Sequence, residues 1–128
     1  MSVTRLKKRT EFLRVSKERI IARMPTVMVQ CCPVVEPAEQ TRVGFTASRR
    51  VGNAVHRNRA KRRLRNIIDN RITSLLLSLS APACDFVFIA VKATASADFS
   101  KLTTDVERGV SYCLRQVLSR YPNHPTGE

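Results

Sequence analysis

Apolar residues recur along this chain in two periods, and the switches between them divide it into elements. Residues 10–17 place Phe12 and Val15 on one helical face, with Thr10 positioned as a cap. Residues 19–23, with Ile20, Ile21 and Ala22, predict a short strand that Pro25 interrupts. Residues 26–32 are apolar and β-branched, predicting a second strand that ends at Pro33; residues 33–40, with Pro37 and two glutamates, predict a loop. Residues 41–47 alternate and predict a third strand. Gly52-Asn53 marks a turn, and Asn53 can cap the helix that follows. That helix is predicted from about residue 54 to about residue 77, because Ala60, Leu64, Ile67, Ile68, Ile72 and Leu75 share one broad arc at a 3.6-residue period. Residues 78–83, with Pro82, read as a loop. Residues 85–92 are apolar on both faces and predict a central strand. Residues 93–97 form a connector. Phe99, Leu102, Val106, Val110, Cys113, Leu114 and Val117 then give an amphipathic helix that Gly109 weakens by ~1 kcal/mol relative to Ala. Residues 121–128, with two prolines, read as a disordered tail. The predicted order is α-β-β-β-α-β-α: a single α+β domain over residues 1–120, with helices packed on a four-stranded sheet.

Charge changes the picture from a scaffold to a binding protein. The chain has 128 residues, 43% of them hydrophobic, a formal net charge of +13 and a sequence pI of about 10.8. Eight basic residues lie between Arg5 and Arg23 against Glu11 and Glu18, and ten between Arg42 and Arg71 against Asp69 alone. Beyond residue 71, five basic residues face five acids. The first 71 residues therefore carry the positive surface, which is the signature of nucleic-acid binding and less often of anionic membranes. No apolar run reaches the ~18 residues a membrane helix needs, and no signal-peptide core is present, so a cytoplasmic location is expected. Cys31, Cys32, Cys84 and Cys113 form no Cys-x-x-Cys pair; they read as small buried hydrophobes in a reducing compartment, with zinc ligation as the alternative.

The densest charge lies in residues 47–66, where Arg49, Arg50, Arg57, Arg59, Lys61, Arg62, Arg63 and Arg65 stand without an acid. Val51, Ala54, Val55, Ala60 and Leu64 interrupt them. The pattern is that of a turn and a helix anchored to a core while presenting guanidinium groups to phosphates. Asn58, between Arg57 and Arg59, adds a side chain that both donates and accepts.

At these residues, Ser48-Arg49-Arg50-Val51-Gly52-Asn53-Ala54-Val55-x-Arg57-Asn58-Arg59-x-Lys61-Arg62-x-x-Arg65 resembles the Arg-Asn-Arg signature of the bacterial ribonuclease P protein family. Leu6-Lys7-Lys8-x-x-x-Phe12 and Arg42-Val43-Gly44-Phe45-Thr46 resemble the flanking helix entry and strand, so the likeness covers most of residues 5–120. The resemblance implies a left-handed βαβ crossover, against the usual right-handed preference, in a fold like the second domain of a small-subunit ribosomal protein. It implies partners: the catalytic ribonuclease P RNA, which carries its own Mg²⁺, and precursor tRNA. No cofactor is expected on the protein itself. Arg49, Asn53, Arg57, Asn58, Arg59, Lys61, Arg62 and Arg65 are the residues it assigns to the catalytic RNA. Phe12, Arg14, Lys17 and Arg50 are assigned to the single-stranded 5′ leader, in a cleft between the first helix and the open sheet face. Ser16 and Gln30 stand where family members commonly carry further aromatics, and Lys17-Glu18-Arg19 replaces a Gly-Arg-rich turn. Leader contacts then shift toward Arg14, Lys17, Arg23 and Arg50.

Two other readings use the same basic helix differently. A structural RNA-binding protein of the ribosomal kind needs no catalytic partner. A nuclease acting alone needs a carboxylate cluster or an acid–base pair, and the ten acids are scattered with no Asp-x-Asp or His-x-x-x-His spacing. A helix-turn-helix would need a helix, not a strand, ahead of the motif.

Overall fold

Strand residues alternate between two faces, and here each face meets a different helix layer. A computed structural model describes residues 3–34, 40–78 and 83–121. The strands are β1 (Thr4–Arg5), β2 (Ile20–Arg23), β3 (Val27–Pro33), β4 (Arg42–Ala47) and β5 (Cys84–Ala90), in the order β1-β4-β5-β3-β2. β1 and β5 run parallel to β4, whereas β3 is antiparallel to β5 and to β2. The sheet thus has five strands rather than the expected four. β1 is only two residues long, too short for any periodicity. It is held by the Leu6 amide donating to Val43 O at 2.8 Å and by burial of the Leu6 side chain. β5 is central, as its apolar run requires.

On one face, Val27, Val29 and Cys31 of β3, Val43 of β4 and Phe86 and Phe88 of β5 pack against α2 (Ala54–Ile67) and α4 (Phe99–Arg120). Leu102, Val106, Val110, Cys113 and Val117 of α4 are fully enclosed there, each large aliphatic contributing about 1.5–3 kcal/mol. Gly109 is the point of closest approach: a Cβ would come within 2.6 Å of Val29 Cγ2, so its weak helix propensity is offset by letting α4 lie on β3. A buried network locks the same end, with the Thr26 hydroxyl donating to Asp105 at 2.7 Å and Thr94 Oγ1 donating to Thr26 O at 2.5 Å.

The long central helix is continuous but not uniform. A π-helical turn, Ile68–Ile72, joins α2 to α3 (Thr73–Ser78). Ile67 and Ile68 are both fully buried, and Ile68, Ile72 and Leu76 follow at four-residue intervals. A strict 3.6-residue helix would rotate that row off the core; the wider turn keeps it inward. Thr73 Oγ1 donates to the Ile68 carbonyl and Asn70 Nδ2 to that of Asn66.

On the opposite face lies α1 (Arg9–Glu18), two residues longer than expected. Thr10 is inside it and is not the cap. Instead Glu11 reaches back and accepts from the Lys7 and Lys8 amides, both at 2.8 Å. Arg19 ends α1 in the left-handed region (φ 60°), so β2 begins one residue later than predicted. Tyr121, placed with the tail by sequence, instead donates its hydroxyl to Glu18 at 2.8 Å, beside an Arg120 side chain that donates to the Glu18 carbonyl. The remainder of that tail and the inner parts of the two predicted loops (35–39 and 79–82) lie outside the described residues.

Candidate nucleic-acid interface

Three rows of side chains cross the α1 face of the sheet. The register aligns Arg42, Asp85 and Cys32; then Gly44, Val87, Gln30 and Ile21; then Thr46, Ile89, Met28 and Arg23. α1 covers the first row and part of the second, where Phe12, Val15, Leu6, Cys32 and Val87 form a small second core. Met28, Gln30, Thr46, Ile89 and Ile21 remain half-exposed and Arg23 exposed, so the third row and the β2 edge form an open floor beside α1. Phe12 is half-buried at the wall of this cleft, Arg14 and Lys17 are exposed on α1, and Arg50 is exposed just beyond β4.

The first row holds a charge cluster that residue spacing along the chain does not reveal. Asp85 is fully buried. Arg42 grips it with two bonds, Nε to Oδ1 at 2.8 Å and Nη2 to Oδ2 at 2.6 Å, and donates its third nitrogen to Glu11 at 2.6 Å. Arg14 also pairs with Asp85 and reaches the Pro33 carbonyl. A buried carboxylate is tolerable only when paired and hydrogen-bonded, and an acid heading an otherwise apolar strand was the available signal. The Lys8 and Lys7 amides, with Arg42 beside them, hold the Glu11 carboxyl below its ordinary range. Arg14, assigned to the leader, is therefore anchored at the cleft's closed end with its guanidinium partly exposed.

The basic motif lies on the other side of the sheet. After β4 the chain makes a short 3₁₀ turn, Arg49–Val51, where the Arg50 amide donates to Ser48 Oγ. Asn53 Oδ1 accepts from the His56 amide at 3.0 Å and caps α2 as expected; it also lies 2.8 Å from His56 Nδ1. Ala60, Leu64 and Ile67 bury the inner stripe of α2. At 3.6 residues per turn, Arg57, Lys61, Arg65, Asn58 and Arg62 then span roughly 140° of the outer surface. No hydrogen bond or ion pair joins any of these five side chains to another described residue. On the opposite flank, Arg59 donates Nε to Ala95 O at 2.8 Å. Arg63 donates Nη1 to Thr94 O at 2.7 Å and Nη2 to Ala97 O, over the Phe99 ring. Burial lowers the Arg63 pKa, and neighbouring Arg59 adds to the effect. The surplus of cations thus divides: Arg63, with Arg59 Nε, docks the segment before α4, while the arc faces outward. The lone acid of this region, Asp69, pairs with Arg5 at 3.1 Å.

All four cysteines are buried and free, and burial pushes the Cys32 thiol up to about 12. Among the described residues no three His, Cys, Asp or Glu side chains gather where they could hold a metal ion, and no helix is long and apolar enough to cross a membrane.

The model of the Ribonuclease P family matches residues 2–113. The chain is 40% identical over 104 residues to the ribonuclease P protein component of Caulobacter vibrioides, an alignment covering 80% of this chain and 66% of that protein. It is 38% identical over 105 residues to that of Paramagnetospirillum magneticum, covering 80% and 76%. The fold matches the solved Staphylococcus aureus RNase P protein with a TM-score of 0.69 at 24% identity, over 86% of this chain and 94% of that one. Sequence and fold agree, and the chain belongs to the ribonuclease P protein family.

Proposed function

We propose that this chain is the RNA-binding cofactor of a ribonuclease P, holding the catalytic RNA on one side of its sheet and the 5′ leader of precursor tRNA on the other. The observation that carries this reading is the separation of two unlike surfaces. The α2 arc of Arg57, Asn58, Lys61, Arg62 and Arg65 is polar, convex and free of acids, which suits the phosphates and 2′-hydroxyls of a folded RNA. Arg49, Asn53 and Arg59 Nη extend it at its ends. The cleft behind α1 is narrower and mixed: Phe12 offers a ring, Met28 and Ile89 an apolar floor, and Lys17, Arg23 and Arg50 charge, which suits a single strand whose bases are unpaired. Arg14 takes part there from its pairing with Asp85. The chemistry belongs to the RNA with its Mg²⁺; the protein positions and neutralises, and brings no cofactor of its own. The left-handed crossover from β4 through α2 to β5, and a cytoplasmic location, belong to the same proposal.

Reconstitution with ribonuclease P RNA tests it. The holoenzyme is expected to cleave precursor tRNA at Mg²⁺ concentrations where the RNA alone is slow, and to bind a long-leader precursor more tightly than one with a single leader nucleotide. The protein alone is expected to leave precursor tRNA intact. Copurification with ribosomal RNA and no stimulation of cleavage would favour a structural RNA-binding role instead.

A further inference from the structure

The cleft floor does not stop at β2. β2 is the edge strand, and Ile21 and Arg23 stand on its open face. The same two residues line a second groove, about 760 Å³ in volume, that turns the edge and runs onto α4, where Arg108, Tyr112 and Arg115 complete it. These three recur at four and three residues along one helix, so an exposed ring stands between two arginines whose Cα atoms are about 10 Å apart along the axis. The Arg23, Arg108 and Arg115 side chains are exposed, and no hydrogen bond or ion pair joins them to another described residue. Glu107, the acid on the groove's wall, is already paired with Arg71 at 3.1 Å. Cation, ring and cation on an open, continuous track suit successive phosphates and an intervening base of a single strand.

We infer that this groove is a second tract for single-stranded RNA, which takes leader nucleotides farther from the cleavage site as they leave the α1 cleft over β2. The inference rests on the cleft reading above and extends it to the carboxy-terminal helix, the part of the chain whose net charge is close to balanced. The track's charge is local: Arg108 and Arg115 come from α4, and Arg23 supplies the join.

The experiment uses the reconstituted holoenzyme and precursors whose leaders lengthen stepwise from one nucleotide. With the native chain, affinity is expected to rise first as the cleft fills and again as the strand reaches α4. Tyr112→Ala is expected to remove the second rise, a loss of roughly 5- to 150-fold for one full stack. Arg108→Ala with Arg115→Ala is expected to lower the salt slope for long leaders by roughly 0.7 per lost single-strand contact. Both variants are expected to bind short-leader precursors and the catalytic RNA like the native chain. A photoreactive base near the 5′ end of a long leader, in turn, is expected to crosslink to α4 and not to α2; this readout needs no variant. Equal affinity of variant and native holoenzymes at every length, with native leader preference intact, overturns this tract and leaves the cleft reading standing. Absence of any leader preference in the native holoenzyme overturns the cleft reading as well. Equal weakening toward long and short leaders, or a crosslink to the catalytic RNA instead, assigns the groove to another ligand and also overturns the inference.

Discussion

Phe12 packs against Gly44, with Cε1 and Cζ of its ring where a side chain on Gly44 would stand. A Cβ built on Gly44 would come within 2.5 Å of Phe12 Cε1 and 2.6 Å of Cζ, closer than real carbon atoms approach. The ring's position at the cleft wall therefore depends on a missing side chain on β4. Gly44→Ala is expected to push the ring out toward the cleft and to lower thermal stability. Phe12→Ala is expected to reduce the holoenzyme's preference for a long over a one-nucleotide leader by ~1–3 kcal/mol if the ring stacks fully on a base. Binding of both precursors by wild type and each variant checks this; equal weakening toward both substrates would make Phe12 solely a core residue.

The cations of α2 are expected to separate into two classes. Arg57→Ala and Arg62→Ala remove side chains that make no hydrogen bond or ion pair with another described residue, so the melting temperature should hold while affinity for the catalytic RNA falls. Each is expected to lower the salt slope by about one for each lost phosphate contact. Lys101→Ala, by contrast, should barely change RNA affinity. Arg63→Ala removes the bonds to Thr94 O and Ala97 O and should lower the melting temperature first. Arg59→Ala should do both, since Nε is bonded and the rest of the guanidinium bonds to no other described residue. Thermal melts alongside salt-dependent binding give the answer.

Arg19 occupies the left-handed region with φ 60° and an exposed side chain. That conformation costs a residue with a Cβ about 1–2 kcal/mol, and glycine's extra freedom in the unfolded chain offsets part of the gain. Arg19→Gly is expected to stabilise the protein by about 0.5–1 kcal/mol, a few degrees in melting temperature. An unchanged or lower melting temperature would show that the arginine contributes through its side chain.

Glu11 links the start of α1 to Arg42. Because its folded pKa is lowered, it adds stability above the ordinary carboxylate range near 4.3, and that contribution disappears as pH falls through the lowered folded value. Glu11→Gln should be less stable than wild type at pH 7, and the difference should shrink steadily below about pH 4. Denaturant melts across pH 2–7 test this; a constant gap would mean that the lost term is not ionic.

Asp85 is the other half of that cluster. Asp85→Asn leaves the partly exposed Arg42 and Arg14 facing a buried neutral amide. Breaking a buried pair by removing one partner is expected to cost about 3 kcal/mol. Since Arg14 stands at the cleft's closed end, the variant is also expected to weaken leader binding more than binding to the catalytic RNA. Denaturant melts and the two affinities measured side by side separate the effects.

Periodicity alone placed four strands and the long helices to within a few residues, because each buries a regular stripe or face and local spacing encodes it. The acid-free run of residues 47–66 marked the basic helix, and Asn53 was recognisable as its cap from residue type and position. What only the tertiary structure decided depends on neighbours distant in sequence. Two residues, Thr4 and Arg5, become a strand because β4 leaves an edge open. Ile68 starts a π turn because the core, not the helix, sets the row of buried side chains. Asp85 is buried because Arg42 and Arg14 converge on it from a strand and a helix far along the chain. Arg57 and Arg63 are alike as residues on one helix; the carbonyls of residues 94–97 sit beside only one flank, and this decides which cation docks onto the fold and which faces outward.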